Sequence, residues 1–291
     1  MTVRLGFLFL AIGLNAAVAL VARWRRSVSR SGAVAGFLVG SIILVAGGFS
    51  IWGMLMLFFV SASVISRVGA TAKAGLASMH EKGGERDAVQ VLANGGAGLV
   101  GSILFAATGE PAFAAAAAGG FAAANADTWA SELGVLSPTP PRSVVGRKEL
   151  PPGASGGVTR MGTLASVAGS ALIAVWFVAW AWAQRTPSGG TVGGGIGAAP
   201  AQAALLVMII TAAGAAGSLI DSLLGATVQA LYRTESGALT ERRRSGGTAN
   251  AVIRGFPAVN NDVVNSMSTM AAAVIAGVAT ELAGTIGLAL A

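Results

Sequence analysis

The chain of 291 residues is 54% hydrophobic and 11% charged, carries no cysteine and has a formal net charge of +7. A mean hydropathy of +0.72 excludes an ordinary soluble domain, and without cysteine there is neither a disulfide framework nor thiol chemistry. The positive charge would suggest nucleic acid, but it falls in blocks between apolar runs, so no nucleic-acid partner is expected.

Charge-poor apolar runs occur at 5–22, 31–48, 50–66, 88–108, 112–126, 161–183, 202–230 and 263–286. Most approach the ~20 residues that a helix needs to cross a bilayer. They predict an all-α polytopic transmembrane bundle of seven to eight spans, a single membrane domain over 1–291. The first run precedes its basic cluster (Arg23, Arg25, Arg26, Arg30) instead of following it, so it reads as a retained span and not a signal peptide. The fifth is short and rich in alanine and glycine, and also fits a half-helix or a re-entrant segment. The run 184–200 reads as an external loop.

With eight spans, 17 of the 19 basic residues fall on alternate connections, at 23–30, 67–86, 142–160 and 233–254; only Arg4 and Arg185 lie elsewhere. The positive-inside rule then places those connections in the cytoplasm and both termini outside. The unusual polar residues fall on the same side. Ionisable groups in such apolar surroundings cost a few kcal/mol unless paired or hydrated, which points to a polar site inside the bundle.

In chain order, Arg86, Gln90 and Asn94 stand at i, i+4 and i+8, a polar stripe leading into the fourth span. Asp127 and Glu132 follow at the exit of the fifth. Five residues apart, they diverge by ~140° on a continuous helix, so they can share an ion only if that helix ends or bends. Pro151 through Thr163 holds Gly156, Gly157, Thr159 and Arg160, a glycine-rich turn before a helix that suits an anion. It is not a Walker A loop, because no Gly-Lys-Ser/Thr triplet occurs. Asp221, Gly225 and Gln229 share a face of the seventh span, and Asn261, Asp262 and Asn265 open the eighth. His80, the sole histidine, sits beside Glu81 and Lys82 and reads as solvated. Oxygen ligands, Arg and Lys, and an anion loop at one face of an apolar bundle are what phosphoryl transfer to a lipid substrate needs.

These motifs resemble an integral-membrane family that includes plant phytyl-phosphate kinase of the vitamin E pathway and a related animal transmembrane protein. The matching stretches are 61–67 with Lys73, 83–87 continuing to 94–96, and 126–134, which contains Asp127-Thr128-Trp129 and Glu132-Leu133-Gly134. They continue at 156–159 with Gly162-Thr163, at 221–226 and at 261–265. The resemblance implies conversion of phytyl or another isoprenyl monophosphate to the diphosphate by a nucleoside triphosphate, with CTP the expected donor, and Mg²⁺. Asp127, Glu132, Asp221 and Asp262 are the expected magnesium ligands; Asp127, Asp221, Asp262 and Arg86 are the expected catalytic residues. Arg67, Lys73, Arg86 and Arg160, with Gly156, Gly157 and Thr159, are expected on phosphates. Gln90, Asn94, Asn261 and Asn265 would orient phosphates or carboxylates. The expected partners are the lipid bilayer, the prenyl monophosphate and the nucleotide, and a homodimer is compatible with the sequence. Two rival readings are a transporter or flippase of prenyl phosphates, and a structural membrane protein whose polar residues join helices.

Overall fold

The computed structural model describes residues 5–73, 82, 84–184 and 200–285. His80, Gly83, Arg4 and residues 185–199, most of the run read above as an external loop, lie outside the described residues. Hydrocarbon offers no partner for a backbone N–H or C=O, so long apolar runs close their hydrogen bonds as helices. The chain is mostly helical: α1 (Leu5–Trp24), α2 (Arg30–Ile65), α3 (Ala70–Lys73), α4 (Ala88–Thr108), α5 (Pro111–Gly134), α6 (Arg160–Ala183), α7 (Pro200–Thr227) and α8 (Asn261–Thr285). Six of these (α1, α2, α4, α6, α7 and α8) are long and apolar enough to cross a membrane.

The 36 residues of α2 do not run straight. At Gly48 the backbone takes φ 64° and ψ −169°, a region open essentially to glycine. A Cβ on Gly40 would stand 3.8 Å from Leu55 Cδ2. Along a straight helix those residues would be ~22 Å apart, so the two halves of α2 lie side by side. A methyl on Gly48 would meet nothing within 4 Å. Gly48→Ala should therefore act through backbone strain alone, at about 1–3 kcal/mol, and lower the thermal midpoint in detergent. Gly96→Ala, equally open but helical, should leave it unchanged; equal midpoints for both variants would remove the strain.

The fifth segment, for which a half-helix or re-entrant segment was an alternative, is a continuous helix of 24 residues and the core of the bundle. It packs against α2, α4, α6, α7 and α8. From Ala114 to Ala126 every position except Ala116 is buried. Its small residues are the cause, since neighbouring backbones can come close only where side chains are absent. A Cβ on Gly119 would lie 2.5 Å from Ala276 Cβ and 2.7 Å from the Ala272 carbonyl.

The fold departs from an all-α class between α7 and α8. There β3 (Leu231–Arg233), β4 (Leu239–Thr240) and β7 (Ala251–Arg254) form a sheet in the order β4-β3-β7. Between β4 and β7 in the chain, β5 (Arg244–Ser245) and β6 (Thr248–Ala249) pair as a separate small hairpin. In the long connection before α6, β1 (Arg142–Ser143) pairs with β2 (Gly157–Val158).

Candidate active site

A cavity of about 1180 Å³ opens at one end of the bundle. Residues from the turn after α1, the C-terminal end of α2, the starts of α4, α6 and α8 and the ends of α5 and α7 line it, with loop residues 152–157 and Glu241. Its charged lining comprises Arg25, Arg26, Arg67, Lys73, Lys82 and Arg86 against Asp127, Glu132, Asp221, Glu241 and Asp262. Gln90, Gly156, Gly157, Thr159 and Asn261 also line it. Three expected residues do not. Arg160 is exposed outside it. Asn94 donates to the Gln90 carbonyl of its own helix, 3.0 Å away. Asn265 lies one turn deeper in α8, outside the lining.

The four expected magnesium ligands separate into different surroundings. α5 continues unbroken through Glu132, so Glu132 turns away from Asp127 and binds Lys73 at 2.6 Å. Asp262 binds Lys82 at 2.5 Å. Among the described residues no three His, Cys, Asp or Glu side chains gather closely enough to hold an ion by themselves. Asp127 and Asp221 remain. They are close enough to repel one another, and the charge of Glu241 also acts on Asp221. Among the described residues neither forms an ion pair, and Asp221 accepts one hydrogen bond, from Ser268 Oγ at 3.1 Å. Two repelling carboxylates beside open polar space fit Mg²⁺, which takes one or two carboxylates and completes its shell with water and phosphate oxygens.

Lys82 bridges Asp87 (2.7 Å) and Asp262 and so ties the start of α4 to that of α8. Burial alone would lower its pKa, but the hydrogen bonds and charges of Asp262 and Asp87 outweigh it and leave Lys82 above its ordinary value. Burial pushes Asp87 up, yet Lys82 and the backbone N–H groups of Gln90 and Val89 hold it below its ordinary 3.8. Asp87 therefore contributes stability above 3.8 that is lost as pH falls through its lowered value. Lys82 contributes below 10.5 and loses it as pH rises through its raised value. Lys82→Met should lower the thermal midpoint at pH 7, chiefly by stranding the buried Asp262. The part of the gap owed to Asp87 should shrink as pH falls below 3.8 and that carboxylate takes up its proton; a gap unchanged at pH 3 would exclude the Lys82–Asp87 pair as a contributor.

Burial also lowers the Arg86 pKa, opposed by the charge of Glu132, and its Nη1 stands 3.5 Å from Ser63 Oγ. Below the cavity, fully buried Asn125 accepts from Ser61 Oγ (2.8 Å) and donates to the Gly169 carbonyl (2.7 Å). Trp129 Nε1 also donates to Ser61 Oγ, at 3.3 Å. This network fixes α2, α5 and α6 beneath Asp127. Several features have no counterpart in the sequence reading. Asp87 and Gln90 form a reciprocal cap on α4, and the spacing Asp87-x-x-Gln90 was the available signal. Glu241 is buried, accepts from Gln229 Nε2 at 2.9 Å and from Ser155 Oγ, and was masked by the adjoining Arg242–Arg244 run. Thr159 caps α6 by accepting from Gly162 N at 2.9 Å, and Gly156 (φ 83°) sits where a Cβ would meet Ala226 Cβ at 2.5 Å.

The family model for integral membrane protein DUF92 matches residues 13–273. The chain belongs to this family. Among similar proteins, Protein PGR of Arabidopsis thaliana is 32% identical over 94% of this chain and 96% of its own length. An uncharacterized membrane protein of Methanocaldococcus jannaschii is 33% identical over 75% of this chain and 82% of its own. No solved structure matches. The family match covers the elements that build the cavity, from α1 into α8.

Proposed function

We propose that this protein is a membrane-embedded prenyl-phosphate kinase, which converts phytyl or a related isoprenyl monophosphate to the diphosphate with a nucleoside triphosphate, CTP expected, and Mg²⁺. The observation that carries this reading is the pair Asp127 and Asp221, free of ion pairs among the described residues, opposite a cluster of cations at one end of an apolar bundle. We place that end in the cytoplasm with both termini outside, and count eight crossings with α2 crossing twice and α5 once. The cavity of about 1180 Å³ exceeds the ~300–1,000 Å³ usual for one small ligand and suits two phosphate-bearing substrates.

An oxygen of the acceptor monophosphate attacks the γ-phosphorus of the donor. A new P–O–P linkage forms, the bond from γ-phosphorus to the β–γ bridging oxygen breaks, and the nucleoside diphosphate leaves with that oxygen. Asp127 and Asp221 would hold Mg²⁺, and the ion would offset the negative charge of the donor phosphates. Arg86 and Lys73 face the reacting phosphates, and Arg25, Arg26 and Arg67 draw anions to the mouth. An ionised phosphate acceptor needs no strong general base, in keeping with a described lining without histidine.

The test is turnover by purified protein in detergent with phytyl and geranylgeranyl monophosphates, Mg²⁺ and each labelled nucleoside triphosphate. A prenyl diphosphate product supports the kinase and names its donor. No product from any pairing, in folded protein, would shift the reading to a prenyl-phosphate transporter, although such sites sit near the bilayer midplane and this one lies at an end.

A further inference from the structure

A second, narrower groove of about 80 Å³ lies between α1, the two halves of α2 and α4. Its walls are mostly apolar, from Val18 and Ala22 on α1 to Phe59 on α2, with Arg86, Gln90, Asn94 and Asn15 as its polar residues. Arg86 and Gln90 also line the large polar cavity, so the apolar groove and the polar cavity adjoin at these two residues. Gly36 lies on the groove wall, and a Cβ there would meet nothing within 4 Å. The missing side chain is what leaves the groove open. Asn15 stands at the far end with both ends of its amide engaged, the oxygen by Trp52 Nε1 and the nitrogen by the Ala11 carbonyl, each at 2.9 Å. It thus offers a hydrocarbon chain no unmet polar group.

We infer that this groove holds the first isoprene units of the acceptor, with its phosphate at Arg86 and the donor triphosphate on the side of Asp127 and Asp221. The inference rests on the prenyl-phosphate reading and deepens it. An ionic headgroup cannot enter so narrow and apolar a space, whereas a chain attached to a phosphate at Arg86 has it within immediate reach. From Ala22 to Asn15 the groove follows seven residues of α1, about 10 Å of helix. That is the reach of about two isoprene units, eight C–C bonds of about 1.5 Å in zigzag. A longer tail continues past the helices into lipid. The groove therefore makes the protein sensitive to the second isoprene unit and tolerant of length beyond it.

The experiment is equilibrium binding of radiolabelled dimethylallyl and geranylgeranyl monophosphates to the full chain in detergent without nucleotide, with turnover measured alongside. Gly36→Leu, which fills the groove one turn beyond Gly32, should weaken geranylgeranyl monophosphate binding by roughly 10- to 100-fold and leave dimethylallyl monophosphate within about twofold. Gly36→Ala and Gly96→Leu, the latter on α4 outside the groove, report folding and general bulk, and both should bind as wild type. A Gly36→Leu that binds both ligands as wild type does, or loses both equally while Gly36→Ala is normal, overturns the inference. So does a wild-type protein that binds neither. Chain-selective loss of binding without turnover by wild type would leave the groove standing and remove the kinase.

Discussion

Asp221→Asn should reduce turnover by at least about 10³-fold while the bundle stays folded and becomes no less stable. The amide is isosteric and its oxygen can still accept from Ser268, so the hydrogen bond joining α7 to α8 survives. The charge disappears, and with it the repulsion from Asp127 and Glu241. Removing like charge from a buried cluster stabilises the fold, whereas removing a magnesium anchor withdraws the charge that organises the donor phosphates; one misplaced electrostatic contact in such a site is worth about 10²–10³ in rate. Lost activity with an equal or higher thermal midpoint distinguishes a functional carboxylate from a structural one. Asp127→Asn should behave alike. Wild-type turnover in Asp221→Asn, or a collapse of the midpoint, would take that residue out of the proposed role.

The second large effect is expected at Gly217, one helical turn before Asp221. A Cβ there would lie 2.5 Å from Ala123 Cβ on α5 and 2.9 Å from Ala272 Cβ on α8, with the Ser268 carbonyl at 3.3 Å. Three helices meet at that hydrogen atom. Gly217→Leu must separate them, and overpacking on this scale costs about 1–3 kcal/mol or more. The thermal midpoint in detergent should fall by about 10 °C. The same displacement moves Asp221 away from Ser268, so turnover measured below the midpoint should fall too. Gly13→Leu on α1, where a Cβ meets nothing within 4 Å, is the control and should change neither property. An unaltered midpoint in Gly217→Leu would mean that the three-helix contact yields easily.

The helices were legible because hydrophobic runs and basic punctuation report depth along the bundle axis. Asp127, Asp221 and Arg86 stood out because a charged residue near an apolar span has few bland explanations, and all three line the cavity. Partnership was not legible, because depth says nothing about which way a side chain faces. Glu132 shares the depth of Asp127 but turns to Lys73, 59 residues away, and Asp262 is claimed by Lys82 at a separation of 180. Asn94, at an equally suggestive position, bonds its own helix. The sheet between α7 and α8 escaped notice because strands of two to four residues are too short to show alternation. Glu241 was hidden with it.

The composition of α5 has a consequence for how the protein is made. Its alanines and glycines let five neighbours close around it, yet the same residues leave it outside the set of described helices apolar enough to cross a membrane by themselves. A segment of that kind has little reason to leave the translocon for lipid alone. It must be sheltered by α4, which precedes it, until α6, α7 and α8 emerge and enclose it. Asp127 rides on the helix inserted least readily, and its counterpart Asp221 arrives nearly a hundred residues later. A nascent chain cut short before α8 lacks Asn261 and Asp262 of the cavity lining and the Ser268 hydroxyl that Asp221 accepts from, so the cavity is incomplete until α8 has been made.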